Sequence, residues 1–148
     1  MGEKDLFIFD TNEKLSFDAI SKFNYTIANE NDILMSFKLS VGKLSIAGCN
    51  LVTNEAIATF KPKNEYTRWF LYCYLSSCDF NNAGSTSSIA TAINSKIIKN
   101  YKFPLPNETA IFDFNKNVSK YIQKIKNLII INNKLRKQKN KLLMKFFK

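Results

Sequence analysis

Apolar positions along the chain fall first into short β-type runs, then into one helical stretch, and finally into a single long repeat. Residues 6–9 (LFIF), 33–37 (ILMSF), 44–47 (LSIA) and 55–60 (EAIATF) read as strands, punctuated by Gly42, Gly48 and Pro62. They predict a small, mostly antiparallel sheet. Over 66–77 (YTRWFLYCYLSS) the period changes: Tyr66, Trp69, Phe70, Cys73 and Tyr74 fall at i, i+3, i+4, i+7 and i+8, one face of a helix. Leu71, Tyr72 and Leu75 make the opposite side apolar too, so this helix is expected to be buried. Its aromatic stripe is read as core packing before base stacking. Residues 81–100 lead through Gly84 and a hydroxyl-rich run into a second short helix with a Ser or Thr cap. Free N–H groups at such a start suit a phosphate, and capping accounts for the serines equally well. Residues 101–106 (YKFPLP) should be extended, because each proline pushes its predecessor out of helix.

The last segment carries the clearest pattern. Asn107 can cap a helix beginning near Glu108. Ile111, Val118, Ile125, Asn132, Lys139 and Phe146 form one row, and Phe114, Tyr121, Leu128, Leu135 and Leu142 a second. Their spacing alternates three and four, a heptad seam of about five repeats. Asn132 and Lys139 interrupt the seam, and polar residues there fix register and partner choice. Forty residues at ~1.5 Å each give a rod of ~60 Å. A body of 108 residues is too small to cover it, and no other helix of that length is present. The expected architecture is α+β: a compact body over 1–106 with a small sheet and short helices, then a long coiled-coil helix over 107–148 whose partner helix comes from another chain or another copy.

Composition narrows the chemistry. The 148 residues are 45% hydrophobic, enough for a core, and no apolar run approaches the ~18 residues of a membrane span. The start, MGEKDLFIFD, lacks a secretory pattern, which leads us to expect a cytoplasmic protein with Cys49, Cys73 and Cys78 reduced. Histidine is absent, which removes Ser–His and Cys–His nucleophile pairs and the common zinc sites. VGKLS lacks the upstream glycine of a phosphate loop, and the carboxylates Asp10, Asp18, Glu30, Asp32 and Glu55 form no pair by spacing. An enzyme is not expected, and neither is a metal.

The net charge of +10 is unevenly placed. Residues 1–37 are net acidic, and basic residues prevail from Lys38 onward. Beyond Glu108 the only acid is Asp113. Such a field favours nucleic acid or an acidic partner, and a solvated basic face is the plain alternative.

Residues 31–62, NDILMSFKLSVGKLSIAGCNLVTNEAIATFKP, carry three pieces in order: Asn31 to Leu34, Ser40 to Lys43, and Asn54 to Ile57. Together they resemble the target-recognition domain of type I restriction–modification specificity subunits, with its Gly/Asn-Asp-Ile-Leu strand, Ser-x-Gly-Lys turn and Asn-Glu/Gln-Ala-Ile strand. The downstream segments are similar too: an aromatic helix at 69–75, a Gly-Ser loop at 84–88, NSKIIKNYKFPLP at 94–106 in the place of an exit strand, and a long conserved-region helix ending LRKQKNKLLMKFF. The resemblance covers 31–148. Residues 1–30 lie outside it, and Asn140 stands where a glycine is usual.

The resemblance implies a non-catalytic DNA reader, holding one recognition domain and one helix where a usual subunit has two of each, hence a half-subunit or truncated form. Double-stranded DNA would be one partner. A modification (methyltransferase) subunit would be another and, through it, a restriction subunit. S-adenosylmethionine, ATP and magnesium would be bound by those subunits, so no cofactor is expected on this chain. The second helix would come from an identical chain or a second half-subunit, through Ile111, Phe114, Val118, Tyr121, Ile125, Leu128, Asn132, Leu135, Leu142 and Phe146. Residues shared by subunits that read different sequences suit phosphate contact or docking better than base reading. These are Lys38, Ser40 and Lys43, with Ser85, Thr86, Ser87 and Lys96 added. Base reading is expected where the family pattern lapses, at Lys61, Lys63, Arg68, Asn81 and Asn82, whose side chains suit base edges. Two readings compete: a helical assembly scaffold with no sequence-specific DNA reading, and a basic amphipathic helix on an anionic membrane. The breaks at Asn132 and Lys139 weaken the membrane reading.

Overall fold

The computed structural model describes residues 6–23, 25–38, 40–80, 93 and 95–147. In chain order they form β1 (Phe7–Ile8), α1 (Phe17–Lys22), β2 (Thr26–Ala28), β3 (Ile33–Ser36), β4 (Leu44–Ala47) and β5 (Leu51–Thr53). Then come β6 (Ile57–Phe60), α2 (Glu65–Ser77), α3 (Ser95–Lys99) and α4 (Glu108–Phe146). The fold is α+β, as expected. The main sheet has the order β1-β4-β3-β6. Its β4–β3 and β3–β6 pairs are antiparallel, and β1 joins β4 in parallel. A separate antiparallel ribbon pairs β2 with β5.

β3 is buried at every position, which is why ILMS reads as a continuous apolar run and not as an alternation. Ile33 and Met35 face a cluster completed by Phe37, Leu75 of α2, Phe80 and Ile93. Leu34, pointing the other way, packs with Ala28 and Ala47 beneath the ribbon. The ribbon and α1 were not legible in the sequence. TIA and LVT are three-residue strands, too short to show a period, and α1 is a six-residue turn of helix.

α2 is packed on both sides. Trp69 and Leu75 are buried toward the sheet, while Phe70 meets Phe114 of α4 edge-on at 5.8 Å. The aromatic stripe is therefore core packing, against the rod as well as the sheet. The 94–106 segment departs from the expected exit strand. Residues 95–99 are helical, and 101–106 lie outside any ladder. Tyr101 and Phe103 bury their rings against Phe80, Phe60 and Tyr74, and the two prolines have no N–H to give a strand.

α4 starts where the sequence places it, with the Asn107 side chain accepting from the Ala110 N–H at 2.8 Å. Its 39 residues span about 58 Å. The body covers part of this rod, along its first half. Ile111 and Ile122 are 5% and 7% exposed, and Ile122 joins Phe7, Ile46 and Trp69 in a cluster that Phe114, Val118 and Ile129 flank. Three expected pairing residues, Ile111, Phe114 and Val118, are thus turned toward the chain's own body. Further along, Leu135, Leu142 and Phe146 are 55%, 56% and 68% exposed. A strict heptad drifts by about 20° per repeat around a straight helix, so over five repeats the seam turns by about 100°. It begins facing the body and ends facing away from it.

Replacing Ile122 by Ala should cost about 2–5 kcal/mol, the range for emptying a buried aliphatic site, as read by urea denaturation. A loss below about 1 kcal/mol would mean that the rod is no part of the body's core.

Candidate nucleic-acid interface

The β3–β4 turn is held by its own backbone. The Ser36 N–H donates to the Lys43 carbonyl at 2.9 Å, the Gly42 N–H to the Ser36 carbonyl at 2.9 Å, and the Ser36 hydroxyl to the Ser40 carbonyl. Gly42 has φ +80, a left-handed conformation, and a Cβ there would sit 3.3 Å from the Phe80 ring. Phe80 therefore seats the turn, and the Ile93 N–H donates to the Phe37 carbonyl beside it at 3.0 Å. Lys38, Ser40 and Lys43 are exposed on this turn, with the Lys38 ammonium 5.9 Å from the Phe37 ring. Lys96 is exposed on α3, which joins the same apolar cluster through Ile98. Ser85, Thr86, Ser87, Asn81 and Asn82 lie outside the described residues.

Lys61, Lys63 and Arg68 are elsewhere. Because β6 is antiparallel to β3, with Ile33 opposite Phe60 and Ser36 opposite Ile57, they follow the end of the sheet remote from the turn. Lys61 donates to the Ile27 carbonyl at 3.0 Å and stands 4.0 Å from Asp32. Lys63 is exposed. Arg68 is half-buried, 3.7 Å from Glu65 and over the Trp69 ring, and its Nε is buried without a hydrogen-bond partner. Lys38, Ser40 and Lys43 are thus separated from Lys61, Lys63 and Arg68 by the length of β3, about 10–13 Å.

A third surface was not anticipated. A cleft of about 830 Å³ opens between the distal half of α4 and the sheet. One wall is Ile130, Asn133, Lys134, Arg136, Lys137 and Asn140. The other is drawn from residues 7–12, Leu34, β5, Asn54 and Ile57. The helical wall is basic and amide-rich, while the facing wall offers Asp10 as its one acid. The signal was present in the sequence: 130, 133, 134, 137 and 140 follow i, i+3, i+4, i+7 and i+10, one face of a helix. The heptad seam drew attention to another face.

Thiol chemistry finds no support. Cys49, Cys73 and Cys78 are free, and burial pushes the Cys73 thiol above its usual range. The Tyr101 hydroxyl, which donates to the Cys78 sulfur at 3.7 Å, is pushed up to about 12, chiefly by that hydrogen bond. Both groups stay neutral at ordinary pH. Among the described residues no helix is long and apolar enough to cross a membrane.

The family of type I restriction modification DNA specificity domains matches residues 8–141. A chain solved in work on complex assembly and conformational transition of the type I R-M system superposes with a TM-score of 0.53 at 20% identity. The match covers 79% of this chain and 29% of that one. At that identity the likeness is one of fold.

Gly42→Ala should cost about 1–2 kcal/mol, the penalty of a Cβ in the left-handed region, with the displaced Phe80 ring adding to it. A thermal melt indistinguishable from the wild type would mean that the turn is not held in this conformation.

Proposed function

The chain belongs to the family of type I restriction modification DNA specificity domains, and on that footing we propose that it is a non-catalytic specificity subunit that binds one half of a bipartite DNA site and docks a modification subunit. S-adenosylmethionine, ATP and magnesium would act on the partner subunits. The body has a rigid frame with loops at both ends of β3, which suits a reader: the frame is buried, and the chemically varied side chains stand at its ends. In this reading Lys38, Ser40, Lys43 and Lys96 meet phosphates or the modification subunit. Lys61, Lys63 and Arg68 face bases, as Asn81 and Asn82 would. The basic wall of Lys134, Arg136 and Lys137 adds phosphate contacts.

The observation that carries the reading is the uncovered distal stripe of α4 on a chain of this family. Leu128, Ile131, Leu135, Leu142 and Phe146 are all exposed. Burying each is worth roughly 1.5–3 kcal/mol, so a partner helix is strongly favoured. Charge alone does not choose its direction, because the distal half carries only basic charges, Lys134, Arg136, Lys137, Lys139, Lys141 and Lys145. The antiparallel pairing of the two rods in the subunits that this chain resembles does. Two copies related by a two-fold axis would place a body at each end and read a symmetric, interrupted site. A second half-subunit supplying the other helix would read an asymmetric one.

Light scattering should show the wild-type chain as a dimer at tens of micromolar. Leu128→Lys with Leu135→Lys should make it monomeric and abolish binding to sites that need both halves. A wild-type monomer at that concentration would assign the second helix to a different chain. For the cleft, Lys134→Ala, Arg136→Ala and Lys137→Ala together should weaken duplex binding about equally for all sequences. The slope of log affinity against log salt should fall by about 1 for each phosphate no longer neutralised. An unchanged slope would remove the cleft from the DNA interface, and no duplex affinity at low salt would favour the scaffold reading.

A further inference from the structure

A polar clasp ties the rod to the body. Lys126 lies on α4 with its side chain only 15% exposed. Its ammonium donates to Glu30 Oε1 at 2.7 Å and to Asn31 Oδ1 at 3.3 Å, and stands 5.4 Å from the Phe7 ring centroid. The receiving turn is itself pinned on every side. The Asn31 N–H donates to the Ala47 carbonyl at 2.7 Å, and the Asp32 N–H to the Asn29 carbonyl at 3.0 Å. The Asn29 N–H donates to the Asp32 carboxylate at 2.8 Å, and the Glu30 N–H to Asn50 Oδ1 at 3.1 Å. Asn31 has φ 69, a left-handed conformation that asparagine tolerates better than most residues. A glycine would meet the backbone demand equally well and leave Lys126 without one acceptor.

As a source of stability such a pair counts for little, because Glu30 is half exposed. Its position gives it leverage. Of the apolar residues packed around Phe7 and Trp69, Ile129 is the last along α4, and soon after it the helix borders the open cleft. From Lys126 to Phe146 the helix runs about 30 Å. A swing of about 10° about Lys126 therefore moves the far end by about 5 Å over that length. One base pair of duplex rises about 3.4 Å.

We propose that Lys126, Glu30 and Asn31 form a positioning clasp that sets the angle between body and rod, and thereby the number of base pairs between the two half-sites that an assembled specificity subunit accepts. The gap length rests on the function proposed above; the angle does not. The clasp joins the turn that opens the recognition strand β3 directly to the spacer, so the reading surface and the ruler share one joint.

The test uses Lys126→Met, which keeps the apolar stem, and the pair Glu30→Gln with Asn31→Gly, which keeps the left-handed turn. Both should melt within a few degrees of the wild type. The first measurement needs no DNA. Spin labels on unnatural side chains at Glu55 and Lys141, both exposed, report the body-to-rod distance in labelled chain diluted with unlabelled chain. The wild type should give one narrow distance, and each variant a distribution broadened or displaced by about 4 Å over the 15-residue lever from Lys126 to Lys141. Unchanged distributions overturn the clasp. The second measurement is the methylation pattern in cells that co-express each full-length chain with its modification subunit. The variants should keep the half-site sequences and admit gaps one base pair longer or shorter. The wild-type gap alone, despite a broadened distance, overturns the link to spacing. Altered half-site sequences overturn it as well, because Lys126 would then act on base reading. No methylation by the wild type removes the specificity reading, and the spin-label distances still decide the clasp.

Discussion

Everything in this fold depends on the junction where Phe7, Ile46, Trp69 and Ile122 meet. They come from β1, β4, α2 and α4, elements far apart in the chain. β1 is two residues long and cannot stand as an edge strand by pairing alone. It holds because Phe7 is covered edge-on by Trp69 at 6.5 Å and from the rod by Ile122. Without the first half of α4, Phe7 and Trp69 would face water, and β1 would lose the burial that keeps it on β4. The rod therefore shares a core with β1, β4 and α2.

That shared core explains how one helix can serve two surfaces. Down the middle of the covered face, Ile111, Asn115, Val118, Ile122, Lys126, Ile129 and Asn133 recur with a mean spacing of about 3.67, with Phe114, Ser119 and Ile130 half-buried beside them, an eleven-residue repeat close to the natural period of an α-helix. A helix that keeps that period lies straight along a fixed body. The exposed row through Leu128, Leu135 and Leu142 recurs every seven residues, the period of a seam made with another helix. Two periods written on one helix diverge along its length. The divergence separates the docked half from the half whose apolar row is exposed.

The same two periods mark what could be read from sequence. β3, β4, β6, α2 and the cap at Asn107 were legible because each is long enough, or chemically distinct enough, to leave a local signal. β2, β5 and α1 were not, because three-residue strands and a six-residue helix are defined by what they pack on. The orientation of the heptad was not in the pattern: Ile111 and Phe146 occupy equivalent seam positions, and the first is buried while the second is exposed. Site residues show the same limit. The turn geometry at Gly42 follows from residue type, whereas the separation of Lys43 from Lys61 follows from the antiparallel register of β3 and β6. The clasp between Glu30 and Lys126 joins residues 96 positions apart, beyond any local pattern.

The arrangement also explains how such a body could change what it contacts without changing its frame. β3 is buried on both faces, and its neighbours β4 and β6 are set by backbone pairing, so substitutions in the loops beyond Lys38 and Phe60 need not disturb it. Loops tolerate variation when the elements carrying them are over-determined. The turn at 29–32 is less free to vary, because its backbone is committed to Ala47 and Asn50 and its side chains to the rod. It stands at the same end of β3 as Phe60 and Lys61, since Ile33 pairs with Phe60. Exposed side chains beyond Phe60 can therefore change beside a turn that holds the rod.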